Sequence, residues 1–218
     1  MNILIMGPAG VGKGTVSQRI VEEFHVAHIS TGDMFRAAIK NNTELGRQAK
    51  SYMEKGLLVP DEITINMTKE RIMQDDCAEG YLLDGFPRTL AQAAAFEEMA
   101  AATNRPIDVV INLNISVDQL APRIVNRRIC RNCGEIYNTV FNPSKVEGVC
   151  DKCGGELMHR ADDNLDSLKV RLDEYDKLTA PVVTYFEEKG LVNQIDAGQT
   201  REQVWSDVKE ALEKVTND

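Results

Sequence analysis

The sequence predicts an α/β protein whose doubly wound parallel sheet presents ligand sites at the carboxyl ends of its strands. Short apolar runs alternate with stretches of helical periodicity along the whole chain, as strands and helices do in such a sheet. The first run, Asn2 to Ile5, leads into a glycine-rich turn and then into a helix. A later run, Gly80 to Asp84, ends in a carboxylate and a Gly/Pro turn, as central parallel strands do.

The composition limits the class of protein. A chain of 218 residues can form one well-buried core with insertions, or two small domains. Hydrophobic residues at 43% and charged residues at 27% are ordinary values for a soluble globular protein. The net charge of −9 argues against a nucleic-acid or membrane partner, because such partners favour a positive patch. No apolar run reaches about 18 residues and no secretory signal is present, so we expect a cytoplasmic protein.

The glycine-rich turn, Gly7 to Thr15, has the composition of a phosphate-binding loop. Its glycines allow successive backbone N–H groups to face a polyphosphate, the helix N-terminus adds partial positive charge, and Lys13 adds an ammonium. The general pattern GxxxxGK[ST] is met up to Lys13, but Gly14 stands where Ser or Thr is usual and Thr15 follows. A glycine turn without a ligand is the alternative, and the strand, spacing and helix around the loop favour the phosphate site.

The remaining elements follow in chain order. Further strands are predicted at Val26–Ile29, Gly80–Asp84, Ile107–Leu113 and Leu191–Ile195. Helices are predicted from Val16 to about Phe24, around Phe35 to Ile39, over Gln92–Met99, after Val117, from Leu165 toward Tyr175 and from about Thr200. Residues 41–76 indicate a small helical insertion with one sharp break at Gly56–Asp61.

Two of the polar residues at these boundaries have a predicted local role. Ser30 or Thr31 is placed to cap the helix that contains Phe35. Asp84, at the end of its strand, is placed to hold a hydrated Mg²⁺ beside the phosphates.

Four of the five cysteines form two CxxC pairs, Cys130 with Cys133 and Cys150 with Cys153, and residues 134–149 separate the pairs. This spacing is typical of a zinc site, and four thiolates leave no open position, so the metal is predicted to be structural. The module of short β runs over 130–158 would depend on it. Two disulfides or a redox pair are the alternatives, and a cytosolic chain disfavours them. Cys77 stands alone and is interpreted as a small buried residue.

Basic side chains stand beside the loop, the strand end and the boundaries of the insertions. They are Lys13, Arg36, Arg88, Arg123, Arg127, Arg160 and Arg171. Each alone is an ordinary surface residue. Their common placement favours convergence on phosphates, because phosphoryl transfer needs fixed positive charge around the transferred group.

The motifs together resemble those of the adenylate kinases, specifically their long bacterial form with a zinc-containing lid. The resemblance covers essentially the whole chain. The matching stretches are Gly10–Thr15, Ser30–Arg36, Leu58–Asp61, Leu83–Thr89, Asn126–Cys130, Phe141–Pro143 and Arg160–Asp163. Of these, the Asp84–Thr89 run DGFPRT together with STGDMFR is close to diagnostic of nucleoside monophosphate kinases.

The resemblance implies a five-stranded parallel sheet, a helical AMP-binding insertion and a small β lid with zinc. The core domain would comprise residues 1–29, 60–125 and 164–218, the AMP-binding segment residues 30–59, and the lid residues 126–163. The protein would be a monomer that binds ATP, AMP and ADP, without nucleic acid or membrane.

The resemblance also implies the site residues. ATP would contact Gly10, Val11, Gly12, Lys13, Gly14, Thr15, Arg123, Arg127, Ile136, Tyr137 and Gln199. AMP would contact Thr31, Arg36, Leu57, Leu58, Val59, Gly85, Phe86, Pro87, Arg88, Gln92, Arg160 and Arg171. Asp84, with Asp33, would hold Mg²⁺ through water, and the zinc ligands would be Cys130, Cys133, Cys150 and Cys153. Gln92 suits a base edge, because an amide offers both a donor and an acceptor.

The implied reaction is reversible phosphoryl transfer from Mg-ATP to AMP, giving two ADP. The acceptor is already anionic, so catalysis would rest on positioning and charge, supplied by Lys13, Arg88, Arg123, Arg160, Arg171 and Asp84. A kinase for UMP or CMP, a nucleotide sensor without turnover and a zinc-ribbon nucleic-acid binder are the alternatives.

The chain departs from the family pattern in the loop and in the lid. Ala9, Val11 and Val16 stand where Pro, Ala and Gln are usual, and Asn126 and Asn138 where Gly and His are common. We expect these differences to affect loop geometry and lid motion more than the chemistry.

Overall fold

The computed structural model describes residues 1–217 of the chain. Its strands are β1 Asn2–Met6, β2 Ala27–Ser30, β3 Tyr81–Asp84, β4 Val109–Asn114, β5 Arg127–Cys130, β6 Ile136–Asn138, β7 Leu157–Met158 and β8 Val192–Asp196. Its α-helices are α1 Lys13–Phe24, α2 Thr31–Lys40, α3 Glu44–Met53, α4 Asp61–Ile72, α5 Leu90–Thr103, α6 Leu120–Val125, α7 Leu165–Glu174, α8 Ala180–Glu187 and α9 Arg201–Asn217. Short 3₁₀ turns lie at Asp75–Cys77 and Val117–Gln119, and a π turn at Tyr175–Thr179.

Five strands form one parallel sheet in the order β2-β3-β1-β4-β8. In register, Leu4 of β1 lies between Leu83 and Val110 of its two neighbours. The order leaves β1 and β3 in the centre, so the turns that follow them open at the same edge of the sheet. The predicted doubly wound five-stranded sheet is confirmed.

Alternate side chains of the sheet enter two apolar layers, one on each face. Ile3 and Ile5 pack in the layer that includes residues of α1 and α9, whereas Leu4 and Met6 pack in the layer that includes residues of α5 and α8. All four are at most 4% exposed. Burial on both faces explains why these strands appear in the sequence as continuous apolar runs.

The helical insertion has a small core of its own. Phe35, Ala49, Val59 and Met67 are buried against one another. Gly46 is needed where α3 crosses α2, because a Cβ there would overlap the backbone of Ala38.

The second sheet is antiparallel, in the order β6-β5-β7, and contains the cysteine pairs. The β module predicted over 130–158 therefore begins earlier, at Arg127. The alternating run from Ile136 forms a strand only as far as Asn138, because the Asn138 Oδ1 then accepts the N–H groups of Val140 and Phe141 and closes a turn.

The predicted strands and helices have observed counterparts within one to a few residues, and Ser30 caps α2 through the Asp33 N–H. The sequence did not predict α8. Its Val182 and Phe186 are fully buried against the sheet, so that segment is held by tertiary packing. Among residues 1–217, no helix is both long and apolar enough to cross a lipid bilayer.

Candidate active site

A large cleft of about 1280 Å³ opens where the strands of the parallel sheet end. It runs from the glycine loop past the helical insertion to the small β-sheet. All the residues predicted to contact either nucleotide or Mg²⁺ line it. The fold thus brings the two predicted nucleotide sites into one space.

The glycine loop connects β1 to α1 by a path that needs glycine. Gly7, Gly10 and Gly12 have φ angles of 131°, 84° and 115°, a region that other residues rarely adopt. At Gly10 a Cβ would also lie 2.7 Å from Cγ1 of Ile124. The loop is therefore open to the cleft with little side-chain cover, as a backbone phosphate cradle requires.

Lys13 is the first residue of α1, and its ammonium is folded back over the loop. Its Nζ donates to the carbonyl oxygens of Gly7, at 2.6 Å, and Pro8, at 3.0 Å. Burial lowers the pKa of Lys13 to about 8, and the nearby Asp84 carboxylate only partly opposes this. An anion placed in the loop would favour the charged ammonium again.

The two carboxylates predicted to hold Mg²⁺ have different surroundings. Asp84 lies beside Ser30 and Ile5 in the sheet register, and its Oδ2 is 4.0 Å from Nε2 of His28. Asp33 Oδ1 accepts from Arg36 at 2.6 Å. It also accepts from Arg160 at 3.3 Å, so this carboxylate is engaged by two guanidinium groups.

The pKa of Asp33 reflects these partners. Burial acts to raise the pKa of Asp33, but the charges and hydrogen bonds of Arg36 and Arg160 outweigh it and hold the pKa below its usual value. Asp33 therefore stays ionised and links α2 to Arg160, which lies between β7 and α7.

The arginines of the cleft outnumber their carboxylate partners: Arg171 pairs with Asp162, whereas Arg36 and Arg160 share Asp33. Burial and the neighbouring arginines lower the pKa values of Arg160 and Arg171 to about 9. Burial likewise lowers the pKa of Arg88, whose Nε donates to Gly85 O at 2.8 Å. All three remain charged at neutral pH. Their mutual repulsion would be relieved by a polyanion.

Two arginines lie on the side of the small β-sheet. Arg123 donates to Val11 O, at 3.1 Å, and to Ala197 O, at 2.9 Å, which ties it to the glycine loop. Arg127 pairs through two nitrogens with Asp163, which is 1% exposed. The contact with Val11 holds Arg123 at the glycine loop, and Asp163 holds Arg127 at the wall of the same cleft.

Two predicted AMP residues, Thr31 and Gln92, are each 2% exposed at the wall of the cleft. The Thr31 hydroxyl donates to Gly85 O at 2.8 Å. The Gln92 amide accepts from the Arg88 N–H at 2.7 Å and donates to Asp61 Oδ1 at 2.7 Å. One lone pair and one N–H of the amide thus remain for a ligand. Sequence reasoning gave Asp61 no role, although it stands inside one of the matching stretches.

The small β-sheet contacts the glycine loop. A Cβ added at Gly14 would lie 2.8 Å from Cδ1 of Ile136, so the glycine leaves room for that side chain. The Tyr137 side chain is turned away from the cleft. Its hydroxyl accepts from the Asp151 N–H at 2.8 Å and lies 3.5 Å from Cys150 Sγ, so only its backbone side is available to a nucleotide.

Gln199 also lines the cleft, and its side chain is occupied within the protein. Nε2 donates to the Asp207 carboxylate at 2.8 Å and to Asp196 O at 3.2 Å. A contact with a bound base would therefore come from its backbone.

The four paired cysteines form one cluster. Their Sγ atoms all lie within 4.8 Å of one another, with Cys130 3.4 Å from Cys153 and Cys133 3.6 Å from Cys150. Four sulfurs bound at about 2.3 Å to one tetrahedral ion are about 3.8 Å apart, whereas a disulfide brings two to about 2 Å. All four are free thiols, so the geometry fits a shared metal and not the disulfide alternative.

A glycine follows each CxxC pair. Gly134 and Gly154 have φ angles of 74° and 70°, and each donates its N–H to the carbonyl of the first cysteine of its pair. The two turns are therefore alike and present both thiols of each pair to the same side.

Comparison with known proteins gives consistent matches over nearly the whole chain. The family model described as "Adenylate kinase" matches residues 5–191. A protein named adenylate kinase from Carboxydothermus hydrogenoformans is 53% identical over 214 residues, which cover 98% of this chain and 100% of that protein. A protein of the same name from Bacillus subtilis is 52% identical over 212 residues, covering 97% of this chain and 98% of that protein.

Proposed function

The chain belongs to the adenylate kinase family and transfers a phosphoryl group between ATP and AMP. We propose which residues of the cleft bind ATP, which bind AMP and which stabilise the transferred group. In the forward direction the γ-phosphoryl of Mg-ATP passes to the α-phosphate of AMP, and two ADP are formed. A kinase for UMP or CMP, the alternative left open by the sequence, is not favoured by these relatives.

The donor site is the side of the cleft at the glycine loop. The backbone from Gly10 to Thr15 would hold the ATP phosphates, with Lys13 exchanging its contacts to the loop carbonyls for contacts to phosphate oxygens. Arg123 and Arg127 would reach the same phosphates from the small β-sheet. The adenosine would lie along the backbone at Ile136, Tyr137 and Gln199.

The acceptor site is the side at the helical insertion. The AMP phosphate would contact Arg36 and Arg88, and Arg160 and Arg171 would close over both phosphate groups. The base would contact Gln92. The remaining contacts would come from Thr31, Leu57, Leu58, Val59, Gly85, Phe86 and Pro87.

The chemistry needs positioning and charge. The attacking oxygen of AMP is anionic, so no general base is required, and the histidine nearest the site, His28, has no proton-transfer role. The protein's part is to hold donor and acceptor in line and to place Lys13, Arg88 and Arg171 around the oxygens that gain charge. Mg²⁺ enters with ATP and neutralises phosphate charge, and Asp84 would hold it through water, assisted by Asp33 once its arginines turn to phosphate.

The main observation behind this proposal is the set of buried cationic side chains beside the glycine loop, which outnumber the carboxylates that pair with them. Lys13, Arg160 and Arg171 have pKa values of about 8, 9 and 9, lowered first by burial. A site built for a neutral ligand would not hold buried cations against one another. ATP and AMP, with four phosphates between them, would supply the missing negative charge.

The proposed domains follow from the separation of the cleft into an ATP side and an AMP side. Residues 30–59 would close over AMP and residues 126–163 would act as the lid over ATP, moving on the core of 1–29, 60–125 and 164–218. Contacts between the small β-sheet and α1 support a closing motion, since Ile136 lies over Gly14 and Lys152 is 3.7 Å from Glu22. Closure would exclude water, which could otherwise accept the phosphoryl group.

We propose that Zn²⁺ holds the lid together through the four cysteines without taking part in the reaction. A four-thiolate site has no position open to substrate, and the module has only a small apolar cluster of its own. We also propose a monomer, since one chain supplies both nucleotide sites. The cytoplasmic location stays a prediction.

Steady-state phosphotransfer tests the proposal. The protein is assayed with Mg-ATP and each of AMP, UMP, CMP and GMP, with metal content measured on the same sample. We expect ADP formation that depends on AMP, with the other monophosphates poor acceptors, and about one zinc per chain. ATP consumption that does not depend on AMP, or faster turnover with UMP or CMP, would contradict the substrate assignment.

A variant pair tests the site. Lys13→Ala removes the loop ammonium and should lower kcat by at least about a hundredfold, the range seen when one fixed charge on the transition state is lost. Lys214→Ala is the matched control, because that lysine is exposed on α9 and pairs with Glu210. Unchanged activity in Lys13→Ala would contradict the role proposed for Lys13, whereas a wild type that binds nucleotides without forming ADP would favour a nucleotide sensor.

A further inference from the structure

The amide of Gln92 is held in one orientation by two groups of opposite hydrogen-bonding character. The backbone N–H of Arg88 can only donate, and it meets Oε1 at 2.7 Å. The carboxylate of Asp61 can only accept while ionised, and its Oδ1 meets Nε2 at 2.7 Å. Turning the amide over would place donor against donor at one end and acceptor against acceptor at the other.

Asp61 is itself held in place from the other side. Its Oδ2 accepts the hydroxyl of Thr89 at 2.9 Å, and the same hydroxyl accepts the Gln92 N–H at 3.1 Å as the N-cap of α5. Asp61 is the first residue of α4 and follows Pro60, which restricts the backbone there. The carboxylate therefore joins the start of α4 to the start of α5, with Gln92 between them.

The orientation of this amide matters for a purine base. The Watson–Crick edge of a 6-aminopurine offers a donor at N6 and an acceptor at N1, which an amide oxygen and amide N–H match in that order. A 6-oxopurine offers the reverse, an acceptor at O6 and a donor at N1. An amide that can turn over matches both bases, whereas an amide fixed in one orientation matches only one.

We propose that Asp61 is a specificity-determining positioning residue that fixes the Gln92 amide for 6-aminopurine monophosphates and against 6-oxopurine monophosphates. The inference rests on the proposed function, in which Gln92 contacts the AMP base, and adds the reason for the direction of its selectivity. Asp61 does not touch the nucleotide in this account. It acts by making the wrong orientation of Gln92 costly.

The test compares kcat/KM for AMP and IMP in the full-length enzyme, because the two nucleotides differ only at C6 and N1. Asp61→Asn keeps the size of the side chain but can present either a donor or an acceptor to Gln92. We expect the ratio of AMP to IMP to fall by at least about threefold in Asp61→Asn. In Asp61→Ala it should fall by at least about tenfold, the factor for one hydrogen bond to a charged group. KM for ATP should stay within about twofold of the wild-type value in both.

Two further variants separate this role from a general loss of structure. Glu62→Ala removes the neighbouring carboxylate of the same helix turn, which is exposed, and should leave the ratio unchanged. Gln92→Ala should remove most of the discrimination. A purely structural role of Asp61 would lower activity with AMP and IMP equally and leave their ratio at the wild-type value.

The outcomes distinguish the inference from the function on which it rests. If the wild type forms no ADP from AMP, the proposed function fails. If Gln92→Ala lowers the ratio but folded Asp61→Asn and Asp61→Ala keep it, the proposed function stands and the role of Asp61 is wrong. Thermal melting of each variant shows which of them are folded, and Asp61→Asn, with its nearly equal volume, provides the test if Asp61→Ala unfolds.

Discussion

Replacing Gly14 by Ala tests whether the lid closes onto the glycine loop. Gly14 is the second residue of α1 and has a helical backbone, so a side chain is not excluded by conformation. The new Cβ would lie 2.8 Å from Cδ1 of Ile136, about 1 Å inside the optimum for two carbons. Relief of this overlap pushes the lid away from the loop in the closed state only.

The expected magnitude follows from the cost of overpacking. Inserting one methyl group into a fitted contact costs about 1–3 kcal/mol, and the low end applies here because the Ile136 Cδ1 ends a flexible side chain that can turn aside. We therefore expect kcat/KM for ATP to fall by about fivefold in Gly14→Ala, the factor for about 1 kcal/mol. The melting temperature should not fall, because Ala is favoured over Gly inside a helix by about 1 kcal/mol.

Ile136→Val in the Gly14→Ala background supplies the control, since valine lacks the Cδ1 atom. Steady-state kinetics of the two single variants and the double variant form a mutant cycle. The double variant should recover kcat/KM for ATP to within about threefold of the Ile136→Val value. Wild-type kinetics in Gly14→Ala, or a double variant as slow as Gly14→Ala, would refute the contact between lid and loop as the cause.

Four further predictions follow from the same structure. The pKa of Lys13 is lowered from 10.5 to about 8, so kcat/KM for ATP should fall as pH rises through about 8, and a pH profile checks this. Between pH 8 and pH 10.5 Lys13 binds more protons in the unfolded chain than in the folded one, so the nucleotide-free protein should become more stable as pH rises. Chemical denaturation at pH 8 and pH 10 would measure the difference. Removing the metal proposed for the lid with a chelator, or Cys150→Ser, should lower the melting temperature by several degrees and raise KM for ATP more than KM for AMP, because metal binding would supply lid folding energy. Equal melting with and without chelator would contradict the proposed metal. Asn138→Ala removes side-chain bonds to the carbonyls of Pro122, at 3.3 Å, and Arg123, at 3.2 Å, and should lower kcat/KM for ATP by about tenfold with little change in KM for AMP.

Local patterns in the sequence were enough to predict the sheet and the cysteine cluster. The strands are continuous apolar runs because both faces are buried, and the CxxC spacing is itself the geometry of two metal-binding turns. The segment at Ala180–Glu187 was not predicted as a helix. Its helical structure depends on the packing of Val182 and Phe186 against the sheet, and a local sequence pattern does not contain that contact.

The cleft was predicted as a set of residues, but its internal contacts were not. The hydrogen bonds of Gln92 to Asp61 and to the Arg88 N–H join residues 31 and 4 positions apart, and no local pattern encodes them. The room left by Gly14 for Ile136 is of the same kind. Motifs predicted which groups line the cleft, whereas tertiary contacts decide which atoms of those groups are free.

We propose that one cleft holds ATP and AMP together, with their phosphates end to end. Isothermal titration with two adenosines joined by five phosphates tests this arrangement, because that molecule would span both proposed sites. We predict that one such molecule binds per chain and that its binding prevents both ATP and AMP from binding. Two molecules bound per chain, or competition with only one of the two nucleotides, would contradict the account.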